Sequence, residues 1–186
     1  MNKPGKIYSS IGCCGLDCGL CPRYYTDGAS RCPGCAGQDF ANKHPSCSFI
    51  TCCVKKKNLE ACGQCADFPC PKFKANEFYQ QLKESSSYPS YKKVITNLNY
   101  IKENSIEEFI KQQKQRIELL ELMIENFNDG RSRSFFCKAA CLLDIKDLKY
   151  SFDEANKKVK ADNIDNIEIK AKIIKNIINK YFASHL

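Results

Sequence analysis

CCGLDCGLCPRYYTDGASRCPGC (residues 13–35), CSFITCC (47–53) and CGQCADFPC (62–70) carry twelve of the fourteen cysteines in this 186-residue chain. Gly, Pro and Asp fill the loops between them, and the apolar content is too thin for the segment to bury itself. Something other than a hydrophobic core must fold it. With cysteine the agents are disulfides or metal ions held by thiolates.

Outward from this stretch the composition changes abruptly after Pro71. Up to that point the chain is rich in Cys, Gly and Pro. Beyond it Lys, Glu, Gln, Ile and Leu dominate, and only Cys137 and Cys141 remain. The expected organisation is therefore a cysteine-rich metal-binding module, 1–71, and a helical module, 72–186, within a length sufficient for both. Residues 1–12 read as a loosely packed leader whose apolar contacts are Ile7, Tyr8 and Ile11. The opening MNKPGKIYSSIGCCG has no apolar run of signal-peptide length, and no stretch approaches a membrane span. A cytoplasmic location is expected, where reducing conditions favour metal ligation over disulfides.

The second module reads as helices. Phe73, Phe78 and Leu82 suggest a short one before the Ser85–Ser87 cluster, and Pro89 marks a new start. Tyr91, Val94, Ile95, Leu98 and Ile101 form one apolar stripe. Ser105 with Glu108 is a capping box, followed by Ile106, Phe109, Ile110, Ile117, Leu120, Ile124 and Phe127 on the face of the longest helix. Residues 134–143 read as a buried helix. Ser151 with Glu154, and Asp165 with Glu168, are expected to open two more, the last striped by Ile169, Ile173, Ile174, Ile177, Ile178 and Tyr181. No sustained period-two alternation is present, so the expected fold is mainly α, an irregular thiolate module packed against helices.

Three C-x2-C pairs, Cys18/Cys21, Cys32/Cys35 and Cys62/Cys65, fall within about fifty residues, which chance does not readily produce. Chain order suggests one site from Cys14 or Cys18 with Cys21, Cys32 and Cys35. A second draws on Cys47, Cys53, Cys62, Cys65 and Cys70, the last fixed between Pro69 and Pro71. Each has more donors than a tetrahedral ion needs, leaving room for shared ligands, a third site or a reactive thiol. Zinc is the expected metal, stapling loops without redox chemistry. The rival is an iron–sulfur cluster: Cys14-x3-Cys18-x2-Cys21 has the spacing of the cluster loop in radical enzymes that cleave S-adenosylmethionine. Against it, no barrel-type alternation of strands and helices follows. Tyr24, Tyr25 and Phe40 are expected as lids over the sulfurs.

Other polar candidates are few. His44 and His185 are the only histidines, which excludes a three-histidine centre; His44 is either an alternate ligand near Cys47 or a solvent-facing loop residue. Cys137 and Cys141, at i and i+4, read as buried core thiols. Arg131 and Arg133 could bind an anion at a helix start or pair with acidic side chains. No P-loop, G-x-G-x-x-G, H-E-x-x-H or G-x-S-x-G motif occurs, and no catalytic residue is assigned.

The order Cys14-Gly15-Leu16-Asp17-Cys18-Gly19-Leu20-Cys21-Pro22, Cys32-Pro33-Gly34-Cys35, then Cys62, Cys65 and Phe68-Pro69-Cys70, resembles the uncharacterised cysteine-rich bacterial and archaeal family DUF3795. The stretch Gly130-Arg131-Ser132-Arg133-Ser134-Phe135-Phe136-Cys137, with Leu142 and Leu143, resembles its longer members. The resemblance implies a metal-binding cytoplasmic protein and no particular reaction. Doubled cysteines at 13–14 and 52–53 depart from the pattern; Cys14 and Cys53 are taken as the matching positions.

The formal charge of +8 counts cysteines as neutral, and two tetrathiolate sites at about minus two each would halve it. Residues 1–71 hold eight Lys or Arg against five Asp or Glu, so the remaining excess is dispersed. Lys55–Lys57 reads as a solvated face. The expected function is a structural or binding module organised by zinc at two sites, for a protein or nucleic-acid partner and not for a membrane. The alternative is an iron–sulfur or reactive-cysteine redox protein or enzyme.

Overall fold

The computed structural model describes residues 6–44, 46–74 and 90–184. Five helices dominate: α1 (Ser90–Glu103), α2 (Ile106–Phe127), α3 (Arg133–Leu142), α4 (Ile145–Ala161) and α5 (Ile167–Ser184). Short turns at Cys18–Leu20, Pro22–Tyr25, Gly28–Ser30 and Cys62–Gln64, with single helical turns at Phe40–Lys43 and Pro71–Lys74, make up the cysteine-rich region. There is no strand among the described residues. The fold is mainly α, as the lack of period-two patterning requires.

The chain divides into two compact units, Met1–Gln113 and Lys114–Leu186. This is a different division from the compositional change at residue 71. The reason is that α1 belongs with the cysteines: its buried Val94, Leu98 and Ile101 share a core with Ile11, Phe49, Val54, Phe68 and Phe73. Phe73 stands at the centre of this core, its ring 5.4 Å from Phe49 and 5.2 Å from Phe68. The cysteine loops thus obtain from a later helix the apolar surface they lack themselves.

Two glycines permit that contact. At Gly15, with φ +93°, a Cβ would lie 2.6 Å from the Val94 carbonyl oxygen, and at Gly63 one would lie 2.3 Å from that of Leu98. Both follow a cysteine directly, so the absence of a side chain lets Cys14 and Cys62 approach the helix backbone.

The leader is not loose over its described part. Ile11 is fully buried. The amides of Ile7 and Tyr8 donate to the Glu60 carboxylate at 2.7 and 2.9 Å, and the buried Lys6 ammonium pairs with it at 3.2 Å. Burial works against the Glu60 charge, yet these amides and Lys6 outweigh it and lower its pKa. Backbone bonds from Cys35 N to Ser9 O (2.8 Å) and from Gly19 N to Ser10 O (2.7 Å) complete the attachment.

In the second unit α4 and α5 pack together, with Leu148, Ala155, Ala171, Ile174 and Ile178 buried. Phe136 and Cys137 are fully buried and Cys141 nearly so, as core thiols should be. The Arg116 guanidinium donates to the carbonyls of Ala140 (2.9 Å) and Leu143 (2.6 Å), satisfying the end of α3.

Two helix starts differ from those the capping patterns suggest. Ser105 does cap α2, accepting from Glu108 N at 3.1 Å. Ser151, by contrast, lies inside α4, buried and donating to the Asp147 carbonyl at 2.7 Å. The helix begins six residues earlier because Ile145–Tyr150 contain no breaker and Leu148 is needed in the core. At α5 the cap is Asn166, which accepts from Glu168 N and Ile169 N at 2.9 and 3.1 Å. The expected helix through Phe78 and Leu82, and the start at Pro89, lie outside the described residues.

Candidate functional site

Loops 13–21 and 62–70 are held by α1. Asn97 Nδ2 donates to Gly15 O and to Asp17 Oδ1, both at 2.9 Å, and Ser90 Oγ accepts from Asp17 N at 2.7 Å. Lys102 Nζ donates to Phe68 O at 2.9 Å. Cys62 N donates to Cys13 O at 2.8 Å, tying the two loops directly. Asp17, Ser90 and Asn97 are all buried, so these bonds form away from competing water.

The cysteines so held line two cavities. The first, about 500 Å³, is walled by Cys13, Cys14, Cys18, Cys32, Cys35 and Cys47, with Phe40, His44 and Tyr91 beside them. The second, about 170 Å³, is walled by Cys52, Cys53, Cys62, Cys65 and Cys70, with Lys57 and Asp67. Nine of the ten expected ligands line one or the other. Cys21 lines neither, so the Cys14/Cys18/Cys21 loop is not gathered on one cavity. The backbone turns at Cys18–Leu20 and Pro22–Tyr25 are short 3-10 turns, which do not keep i, i+4 and i+7 on one face.

Cys47 falls on the first cavity, where chain order groups it with the second. A wide π-type turn, Ile50–Lys56, separates it from Cys52 and Cys53, with Lys57 N donating to Cys52 O five residues back at 3.1 Å. Cys47 precedes the turn and meets one cavity; Cys52 and Cys53 lie within it and meet the other. Lys57 is more than a solvated face: its ammonium pairs with Asp67 and lies 3.0 Å from Cys65 Sγ, and these partners, Asp67 foremost, raise its pKa.

Cys13 Sγ is 3.6 Å from Cys35 Sγ, and Cys13 N donates to Cys35 Sγ at 3.4 Å. Cys53 Sγ donates to Leu59 O at 3.4 Å. Its neighbour Cys13 favours the Cys53 thiolate, but Cys62 and burial prevail and push the thiol up to about 12. Burial, partly offset by a backbone bond with Leu16, pushes Cys14 up to about 12, and charges on Cys35 and Cys47 act the same way. Burial, then the charges of Cys35 and Cys14, raises Cys18 well above the ordinary thiol value. A soft cation entering here must displace protons, so occupancy would fall with falling pH.

His44 is placed by the Phe40–Lys43 turn, stacked on Phe40 with ring centroids 4.4 Å apart, and its Nε2 lies 3.3 Å from Cys32 Sγ. Burial, then the charge of Arg23, lowers its pKa. Of the expected lids, Phe40 lines the first cavity. Tyr25 instead donates to Gly19 O at 2.7 Å, and Arg31 lies over the Tyr24 ring at 5.7 Å. Tyr91 on α1 is the aromatic wall the sequence did not reveal; burial, then the charges of Cys14, Cys21 and Cys18, raises its pKa.

The donor set is soft, and thiolates with one imidazole suit zinc or iron–sulfur chemistry. Its placement is more particular. Among the described residues, no three His, Cys, Asp or Glu side chains converge as they would around a metal ion. The close donors come in twos, Cys13 with Cys35 and Cys32 with His44. Cys13 and Cys52, set aside for their neighbours in the sequence reading, both line cavities; a doubled cysteine gives no sequence signal of which side chain turns inward.

No curated protein and no solved structure matches this chain. The stretch at Gly130–Cys137 that resembles longer family members lies outside the matched region. All the cysteines of both cavities lie within residues 10–75, which match the model of the family described as Protein of unknown function (DUF3795).

Proposed function

We propose that residues 13–70 bind metal through cysteine thiolates at two centres, one at each cavity, and that the metal organises this region as a binding module for a protein or nucleic-acid partner. The observation that carries the reading is that eleven cysteines line just two cavities. Cys137 and Cys141, by contrast, are buried in the helix Arg133–Leu142 and line neither cavity. Cys14, Cys18, Cys35 and Cys47 face the first centre, and Cys53, Cys62, Cys65 and Cys70 the second. Lys57 beside Cys65 supplies a positive charge to offset thiolates there.

Metal analysis of anaerobically purified protein, joined to amide exchange before and after chelation, tests this. Metal retained by thiolates, and loss of protection in residues 13–70 on its removal, are expected, with 114–184 unaffected. Metal-free protein with the same protection in residues 13–70 would overturn the reading. For a nucleic-acid partner, affinity should fall steeply with salt; no binding at low ionic strength disposes of that role and leaves a protein partner.

A further inference from the structure

We propose that Cys32 and His44 form a reactive thiol–imidazole pair, in which Cys32 exchanges with the disulfide of a small thiol and His44 takes the thiol proton. The inference goes beyond the metal-binding reading, whose ligands at the first cavity are Cys14, Cys18, Cys35 and Cys47 and do not include this pair.

Geometry carries the first step. Cys32 Sγ and His44 Nε2 stand 3.3 Å apart, within hydrogen-bond reach for a thiol and an imidazole. Two segments bring them there. Cys32 follows the Gly28–Ser30 turn, and its amide donates to Arg23 O at 2.9 Å. His44 follows the single turn Phe40–Lys43, and its amide donates to Phe40 O at 3.0 Å. Its ring stacks on Phe40 with centroids 4.4 Å apart and planes 13° from parallel. Backbone and ring are both fixed, which holds Nε2 against the sulfur, the arrangement in which a base activates a nucleophile.

Chemistry carries the second. The thiolate and not the thiol is the nucleophile, so among several thiols on one wall the one beside a base attacks first. His44 is the only histidine among the described residues, and the sulfur it meets is that of Cys32. The pair lines an open cleft, where Cys32 keeps 9% of its surface exposed. The cleft walls include Leu16, Phe49, Ile50 and Tyr91, apolar surface that suits the sulfurs and carbon chains of a small disulfide. Exchange asks for a thiolate and access to one sulfur of the partner. The Cys32 proton passes to His44 Nε2, and the Cys32 sulfur attacks one sulfur of the disulfide. The S–S bond of the substrate breaks, and the departing thiolate takes the proton from His44. The products are a mixed disulfide on Cys32 and one free small thiol, so the substrate disulfide is the only oxidant required.

The test uses the full chain, purified anaerobically, with dipyridyl disulfide as the probe at neutral pH. Release of pyridinethione is followed by absorbance, the labelled peptide is identified by mass spectrometry, and bound metal is measured before and after. One fast-reacting thiol per chain, at Cys32, is expected, with metal content unchanged. His44→Ala should slow that reaction by roughly tenfold. Added imidazole should restore the rate in His44→Ala and leave the wild type unchanged, a rescue that a merely structural role for His44 does not give. Far-UV circular dichroism checks that each variant is folded. No fast thiol, fast labelling only at another cysteine, or equal rates in wild type and His44→Ala overturns the inference. Cys32 unlabelled, with metal lost from folded Cys32→Ser, makes Cys32 a ligand; that overturns the reactive pair and leaves thiolate metal binding standing. Fast, imidazole-rescued labelling of Cys32 in protein that holds no metal supports the pair and counts against the metal-binding reading instead.

Discussion

Asn97 offers the sharpest stability test, because it joins α1 to the cysteine loops through one side chain. Its amide donates to Gly15 O and Asp17 Oδ1 at 2.9 Å each, and the residue is buried. Asn97→Ala leaves a buried carbonyl and a buried carboxyl oxygen without that donor. Each such loss costs about 1–3 kcal/mol. The Asp17 amide keeps its bond to Ser90, so the loop is loosened but not released, and a total of about 2–4 kcal/mol is expected. With a urea dependence of about 1–3 kcal/mol per molar, the unfolding midpoint should fall by about 1–2 M. Asn99→Ala, on the exposed face of the same helix, should leave it nearly unchanged. Metal content measured on the same samples should fall with Asn97→Ala, since Gly15 and Asp17 lie between Cys14 and Cys18. Equal midpoints for the two variants would refute the claim that α1 holds the ligand loop.

Two further outcomes follow from the geometry. Gly63→Ala would set a Cβ 2.3 Å from the Leu98 carbonyl oxygen, so backbone must move. A loss of about 1–3 kcal/mol is expected, read as a lower thermal midpoint, and an unchanged midpoint would rule out the close helix contact. In the second unit, the Ser132 hydroxyl foremost, with the Arg131 amide and Lys175, holds the Asp129 carboxyl down from 3.8 to about 2. A depressed folded pKa contributes stability that is present above the unfolded value and lost as pH falls through the folded one. Helix content of the wild type should therefore weaken between about pH 4 and pH 2. Asp129→Asn should flatten that part of the acid profile, and an identical profile would count against the Ser132–Asp129 bond.

How much of this was legible in the chain differs by feature. Helical segments with long apolar stripes, such as Val94–Ile101 and Ile106–Phe127, were readable because period and burial agree over many residues. Caps were less so: Ser151 fits a capping box as well as Ser105 does, and only the need to bury Leu148 carries α4 past it. Cysteine spacing pointed to thiolate chemistry, since three C-x2-C pairs in one stretch are a chemical signal that needs no fold.

Spacing could not say which cysteines share a cavity, because that depends on contacts between segments far apart in the chain. The π-type turn at Ile50–Lys56 sends Cys47 one way and Cys52 and Cys53 the other. The short turns around Cys18 leave Cys21 off both walls. The sequence by itself determined that residues 13–70 are rich in thiols and poor in core, and that helices follow. Only the tertiary structure decided that α1, through Asn97, Ser90, Lys102 and its close passage over Gly15 and Gly63, supplies the missing core and distributes eleven of those thiols around two cavities. Burial and donor convergence are properties of the packed chain, and no local pattern of residues encodes them.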